Sequence, residues 1–134
     1  MTENELLCRL CLQTRGAVQY PAKKPRRSNL LELLVKAWAY SKDNTNGLAY
    51  AKHDVKGTLR GGQWHTTNAT KGVEDCSIII QGRHVAIEVK TTDKQSNYQK
   101  ARQAQILANG GIYLIADSFD IIEHLDTLFE TLNK

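Results

Sequence analysis

Two runs rich in β-branched residues, separated by a short turn, constrain this chain's fold more than any other feature. Asp75-Cys76-Ser77-Ile78-Ile79-Ile80 and Val85-Ala86-Ile87-Glu88-Val89 flank Gln81-Gly82-Arg83-His84. Valine and isoleucine suit a pleated surface, and glycine supplies the turn, so the segment predicts a β-hairpin. A two-residue Gly82-Arg83 turn sets Asp75 opposite Lys90, with Glu88 as its diagonal neighbour roughly 7 Å away. A Gln81-Gly82 turn sets Asp75 directly opposite Glu88. Both turns keep the two acids on one face, because side chains alternate with period two. A three-residue turn would put them on opposite faces.

Two carboxylates a few ångströms apart repel unless a cation sits between them. Hard oxygen ligands with room for water and phosphate suit Mg²⁺ or Mn²⁺. Asp75 and Glu88 are the candidate metal ligands, with the backbone carbonyl of Val89 as a third oxygen. A metal there lowers the pKa of a bound water and neutralises charge on a phosphodiester. Lys90 is placed to orient that water or steady the phosphorus. The plainer reading is a surface hairpin with an Asp75–Lys90 ion pair and an exposed Glu88.

The surroundings of the hairpin add a resemblance. Lys71-Gly72-Val73-Glu74-Asp75, Ile87-Glu88-Val89-Lys90, Ser96-Asn97-Tyr98-Gln99, Ala108-Asn109-Gly110-Gly111 and Tyr113-Leu114-Ile115-Ala116 follow in order. Together they resemble the VRR-NUC branch of the PD-(D/E)xK nucleases, which includes small stand-alone phage proteins. The likeness runs from about Lys71 to Leu128. It implies a restriction-endonuclease-like fold, α/β, with a mixed β-sheet flanked by helices. It also implies catalytic roles for Asp75, Glu88 and Lys90, with Gln99 supporting the site. Glu74 departs from the family, which usually has proline at that position.

Length and composition fit one soluble domain. The chain has 134 residues with 41% hydrophobic content. No apolar run approaches the roughly 20 residues of a membrane span, and nothing at the N-terminus resembles a signal peptide. Three cysteines argue for a reducing cytoplasm, and the resemblance implies that of a bacterial or phage-infected cell. Net charge is +4 and unevenly spread, since residues 113–134 hold five acids and one lysine. The basic ground surrounds the hairpin, and DNA phosphates are its natural partner.

Along the chain, Asn4 to Leu12 reads as a short helix. Lys23, Lys24, Arg26 and Arg27 beside Pro21 and Pro25 read as an extended basic arm, either a DNA contact or a solvated connector. Residues 1–27 thus form an N-terminal extension, and 28–134 the nuclease-like domain. A helix runs from Ser28 or Asn29 to about Ser41, and Leu48 to Val55 is a strand candidate. The polar stretch from Lys56 to Gly72 reads as a loop whose Lys56, Arg60 and Lys71 can hold phosphates. Within it, Trp64 either stacks on an unpaired base or caps the edge of the core. A helix from Ser96 to Gly110, a strand over Ile112–Ala116 and a helix from Ser118 complete the order α-β-ββ-α-β-α.

Secondary candidates compete with simpler roles. Ser96-x-x-Gln99 and Asn29-x-x-Glu32 are both capping-box patterns, so Gln99 and Glu32 can serve helix ends instead of a metal site. Cys8-x-x-Cys11 has zinc-knuckle spacing, but zinc needs four ligands and no second pair follows. His53-Asp54 lacks the partners of a His-metal finger nuclease. The sequence therefore predicts a Mg²⁺- or Mn²⁺-dependent DNA endonuclease, structure- or nick-directed and acting as a homodimer. The alternative is a non-catalytic DNA- or protein-binding module that keeps the nuclease fold.

Overall fold

The computed structural model describes residues 1–53, 57–60, 63–66 and 72–133, with backbone alone for 57–60 and 63–66. Helix α1 (Glu3–Gln13) begins at Thr2, whose hydroxyl accepts from the Glu5 N–H at 3.1 Å. Glu3 and Glu5 add negative charge where the helix dipole favours it. Helix α2 (Arg27–Lys42) buries Leu30, Leu31, Leu34, Val35 and Trp38, a helical spacing that presents one apolar face. Leu7, Leu10, Cys11 and Val18 join the same core cluster, so the stretch before residue 28 packs with the rest of the molecule. Helix α4 (Ile121–Leu132) closes on α2 through Trp38, whose Nε1–H donates to Asp126 Oδ1 at 2.7 Å.

Strands β1 (Ala51–Lys52), β4 (Cys76–Ile80), β5 (Arg83–Val89) and β6 (Ile112–Ala116) form a four-stranded sheet in the order β1-β4-β5-β6. β1–β4 and β4–β5 are antiparallel, and β5–β6 is parallel, joined through α3 (Asn97–Ala108). Of the two hairpin turns compatible with the sequence, Gln81-Gly82 is present. Ile80 pairs with Arg83, and φ is +50° at Gln81 and +76° at Gly82, the signs a type I′ turn requires.

Two expectations are corrected. Within the strand sought over Leu48–Val55, the described residues give only Ala51–Lys52, because positive φ at Gly47, Leu48 and Ala49 makes that approach a turn, and Asp54 and Val55 lie outside the described residues. The stretch from Lys56 to Gly72 contains a second hairpin, in which β2 (Gly57–Arg60) pairs antiparallel with β3 (Gln63–Thr66). Its polar, glycine-rich composition conceals the β-formers Thr58, Leu59, Trp64 and Thr66. Lys56 and Lys71 lie outside the described residues, as do the side chains of Arg60 and Trp64.

The sheet divides the molecule. On one face Cys76, Ile78, Ile80, Val85 and Ile87 are buried in the core shared with α1, α2 and α4. Each such Val or Ile contributes roughly 1.5–3 kcal/mol by leaving water. The other face carries Ser77, His84, Ala86, Glu88 and Tyr113. There α3 covers only part of the sheet, with Ile106 packed on Ala86 and Tyr113. The chain is thus a mixed α/β fold with helices on both faces of the sheet, and no described helix is long and apolar enough to cross a membrane.

Candidate functional site

The hairpin register sets the geometry. The β4–β5 ladder ends at the pair Cys76–Ile87, which brings Asp75, the residue before β4, to the end of β5 that carries Glu88. Asp75 Oδ2 accepts from the Val89 N–H at 2.6 Å, which ties the acid to the facing strand. Glu88 is fully buried. Its Oε2 accepts from the Tyr113 hydroxyl at 2.8 Å and from Gln95 Nε2 at 3.2 Å, and Gln95 also donates to Gln103 Oε1 at 3.0 Å. Glu88 Oε1 is buried with no hydrogen-bond partner among the described residues. Lys90 Nζ lies 3.8 Å from that oxygen and donates to Asp93 Oδ2 at 3.0 Å. The Lys90 backbone N–H donates to Ala116 O at 2.9 Å, which fixes the strand end that carries it.

The environment matches these roles. Burial, then the hydrogen bond to Glu88 and its charge, push the Tyr113 phenol up, so it stays protonated and donates. Asp93 is held below the ordinary carboxylate range by Lys90. On the opposite face Cys76 is pushed up to about 12, first by burial and then by the carboxylates of Glu32 and Asp75. That thiol is no nucleophile near neutral pH. His53 flanks Asp75 on the other side, its N–H donating to Asp75 O at 2.8 Å and its Nε2 lying 2.9 Å from Ser77 Oγ.

Other expected site residues lie elsewhere. Gln99 is taken up by the helix cap: its Oε1 accepts from the Ser96 N–H at 2.8 Å, and Ser96 Oγ accepts from the Gln99 N–H at 3.2 Å. Gln95 contacts Glu88 where Gln99 was expected. Glu32 Oε2 pairs with Lys52 Nζ at 3.4 Å, in a groove formed with Asn29, Leu33, Lys36 and Tyr50. Cys8 is exposed, Cys11 is buried, and both are free thiols. Among the described residues no group of three or more His, Cys, Asp or Glu is gathered for a metal. That holds for Cys8/Cys11 and also for Asp75 and Glu88, which supply two carboxylates. Lys23, Lys24 and Arg26 are exposed, whereas Arg27 begins α2 and bonds Glu3 Oε1 at 2.7 Å and Asp117 O at 3.1 Å.

Sequence reasoning missed the partners of Glu88. Gln95 and Tyr113 reach it from a loop and a strand, Gln103 of α3 holds Gln95 in turn, and no local spacing marks them. It also missed the role of Glu74. That fully buried carboxylate places Oε2 3.2 Å from His84 Nε2 and Oε1 3.3 Å from Arg102 Nε. Burial pushes the Glu74 carboxyl up, but His84, a backbone N–H and Arg102 outweigh it and hold the group below its ordinary value. Just upstream, Gly72 has φ of +77°, and a Cβ there would lie 2.3 Å from the Tyr98 carbonyl carbon. Only glycine lets the chain pass so close to the first turn of α3. Comparison with family models, curated proteins and solved structures yields no match.

Proposed function

We infer that this chain is a Mg²⁺- or Mn²⁺-dependent DNA endonuclease of the PD-(D/E)xK type, close to the VRR-NUC branch, with a restriction-endonuclease-like sheet. The observation that carries the reading is Glu88 Oε1, a buried carboxylate oxygen without a hydrogen bond among the described residues, 3.8 Å from Lys90 Nζ. A buried carboxylate oxygen without a hydrogen bond is costly, and the Lys90 ammonium at 3.8 Å offsets that cost only in part, which favours a further cation. The donor set fits a hard divalent ion: Glu88 Oε1, an oxygen of Asp75 and the Val89 carbonyl, with water and substrate phosphate filling the rest. Such an ion, when bound, supplies an activated water and a counter-charge for the phosphodiester.

The chain's own residues do the remaining work. Tyr113 and Gln95 hold one oxygen of Glu88 so that the other faces the site. Val89 N–H orients Asp75. Lys90, anchored by its backbone to β6, presents its ammonium group to steady the charge that develops on phosphorus and to orient the attacking water. A domain this small has little surface for reading sequence, so DNA structure or a nick directs cleavage, and a homodimer lets two sites cut paired strands.

The test is purified protein with branched, nicked, single-stranded and linear duplex DNA, with and without Mn²⁺. Cleavage that needs the ion and disappears in Asp75→Ala supports the reading; wild-type cleavage by Asp75→Ala sinks it. The two-carboxylate donor set favours one rival, a non-catalytic DNA-binding module with a nuclease fold. Calorimetry with Mn²⁺ and a non-cleavable duplex separates the two. The rival stands if wild type and Asp75→Ala give the same heat.

A further inference from the structure

A second polar cluster sits under α3 on the same sheet face. A cavity of about 430 Å³ opens between β5 and α3, lined by His84, Arg102, Gln105, Ile106, Asn109 and Gly111. Arg102, Gln105 and Ile106 lie at helical spacing on one stripe of α3, which Asn109 continues at the helix C-cap. His84 stands four residues before Glu88 on the same face of β5, roughly 13 Å along the strand. The cavity is therefore distinct from the Asp75–Glu88 site.

The buried carboxylate of Glu74 organises one wall. It takes His84 by Nε2 at 3.2 Å and Arg102 by Nε at 3.3 Å. The guanidinium carries five N–H donors, and arginine–carboxylate pairs frequently use two of them at once. Here Glu74 is met through Nε only, and the terminal nitrogens of Arg102 have no acceptor among the described residues. Arg102 is two-thirds buried, its side chain 31% exposed, so those donors are partly removed from water. The Gln105 carboxamide adds another donor one helical turn away, and Ile106 supplies an apolar floor. A guanidinium fork, a neutral amide donor and an apolar floor in a space this size suit a phosphate carried on an organic group.

We propose that the His84–Arg102–Gln105 cavity binds the phosphate group of a nucleotide or nucleic-acid strand, with Glu74 as the buried strut that aims Arg102 into it. The assignment stands apart from the chemistry at Glu88, because neither the cavity nor its donors use that carboxylate. It also gives Glu74 a purpose: the position where related nucleases usually carry proline holds an acid that pre-sets the guanidinium. Pre-setting removes part of the side-chain entropy that binding would otherwise cost.

The experiment is a titration of isotope-labelled full-length protein, free of divalent metal, followed by NMR at the Arg102 Nε–H and the Gln105 side-chain amide. The probes are inorganic phosphate, dAMP, deoxyadenosine and a short single-stranded oligothymidylate. Saturable shifts with phosphate and dAMP, absent with deoxyadenosine, support the site. Tighter binding of the oligothymidylate identifies a strand phosphate as the ligand; tighter binding of dAMP identifies a free nucleotide. Arg102→Lys keeps the charge but loses the fork, and should weaken binding roughly tenfold. Gln105→Leu touches neither Glu74 nor the core and keeps the fold testable; it should weaken binding roughly threefold. Glu88→Gln should bind as wild type does, which separates this site from the nuclease reading. No saturable shift with any phosphate-bearing probe, an equal response to deoxyadenosine, or unchanged binding in Arg102→Lys overturns the proposal.

Discussion

Glu74 and Glu88 are both fully buried carboxylates on the α3 side of the sheet, and they are satisfied in opposite ways. Glu74 spends each oxygen on a side chain able to carry positive charge, His84 on one and Arg102 on the other. Glu88 spends one oxygen on two neutral donors and, among the described residues, leaves the other without a hydrogen bond, near a lysine shared with Asp93. A buried acid with both oxygens occupied is part of the frame. A buried acid with one oxygen open is held at a cost to stability, and that is the usual signature of a group kept for binding or chemistry.

The largest effect should come from Glu88→Gln. The substitution keeps shape and removes the charge, so metal-dependent DNA cleavage should fall by more than roughly a hundredfold. Unfolding free energy should stay within about 1 kcal/mol of wild type, because the cost of burying a carboxylate oxygen without a hydrogen bond has also gone. A large loss of stability with activity retained would make Glu88 a second structural acid and erase the contrast. Glu74→Ala should do the reverse. It removes the partner of His84 and Arg102 and should cost about 2 to 3 kcal/mol in denaturant unfolding, at the lower end for a buried pair because both side chains still reach water.

Tyr113→Phe tests how firmly the open acid is held. Gln95 remains on Oε2, so the expected loss is about 1 kcal/mol of stability, with cleavage down roughly tenfold as Glu88 gains freedom. A loss as large as that of Glu74→Ala would mean both acids are equally braced. The smallest effect is a pH dependence. Burial pushes the Glu74 carboxyl up, yet its His84, backbone and Arg102 contacts hold it below the ordinary 4.5. Its stabilisation is therefore full above that value and fades as pH falls through the lower folded-state value. The melting-temperature gap between wild type and Glu74→Ala should be constant near neutrality and narrow in acid; a gap that widens in acid would reverse the sign.

Much of this contrast was readable in the chain, but only where local rules apply. The hairpin follows from two β-branched runs across a two-residue turn, and its register brings Asp75 to the end of β5 that carries Glu88. The choice between Gln81-Gly82 and Gly82-Arg83 needed the backbone, because both offer a glycine. Gln99 illustrates the limit of motif reading: its side chain satisfies a helix end three residues away, and a local bond of that kind wins over a distant one. Gln95 and Tyr113 could not be found by spacing, since they meet Glu88 only after α3 and β6 are placed. The β2–β3 hairpin escaped for a compositional reason, as polar β-formers between glycines carry no apolar period. Glu74 read as a blemish in a motif because charge in the proline position has no local explanation; its explanation is Arg102, 28 residues on.

The parallel pairing of β5 with β6 has a consequence for when the site comes into being. Asp75, Glu88 and Lys90 are all present once the hairpin has formed. The hydroxyl that holds Glu88 comes from Tyr113, 25 residues later, and the carbonyl that pins Lys90 belongs to Ala116. A growing polypeptide that has emerged from the ribosome only as far as α3 carries every charged group of the site and none of its alignment. Closing the crossover is the slow, non-local step of such a topology. The acids are therefore set in place late in folding, after most of the core has had its chance to form.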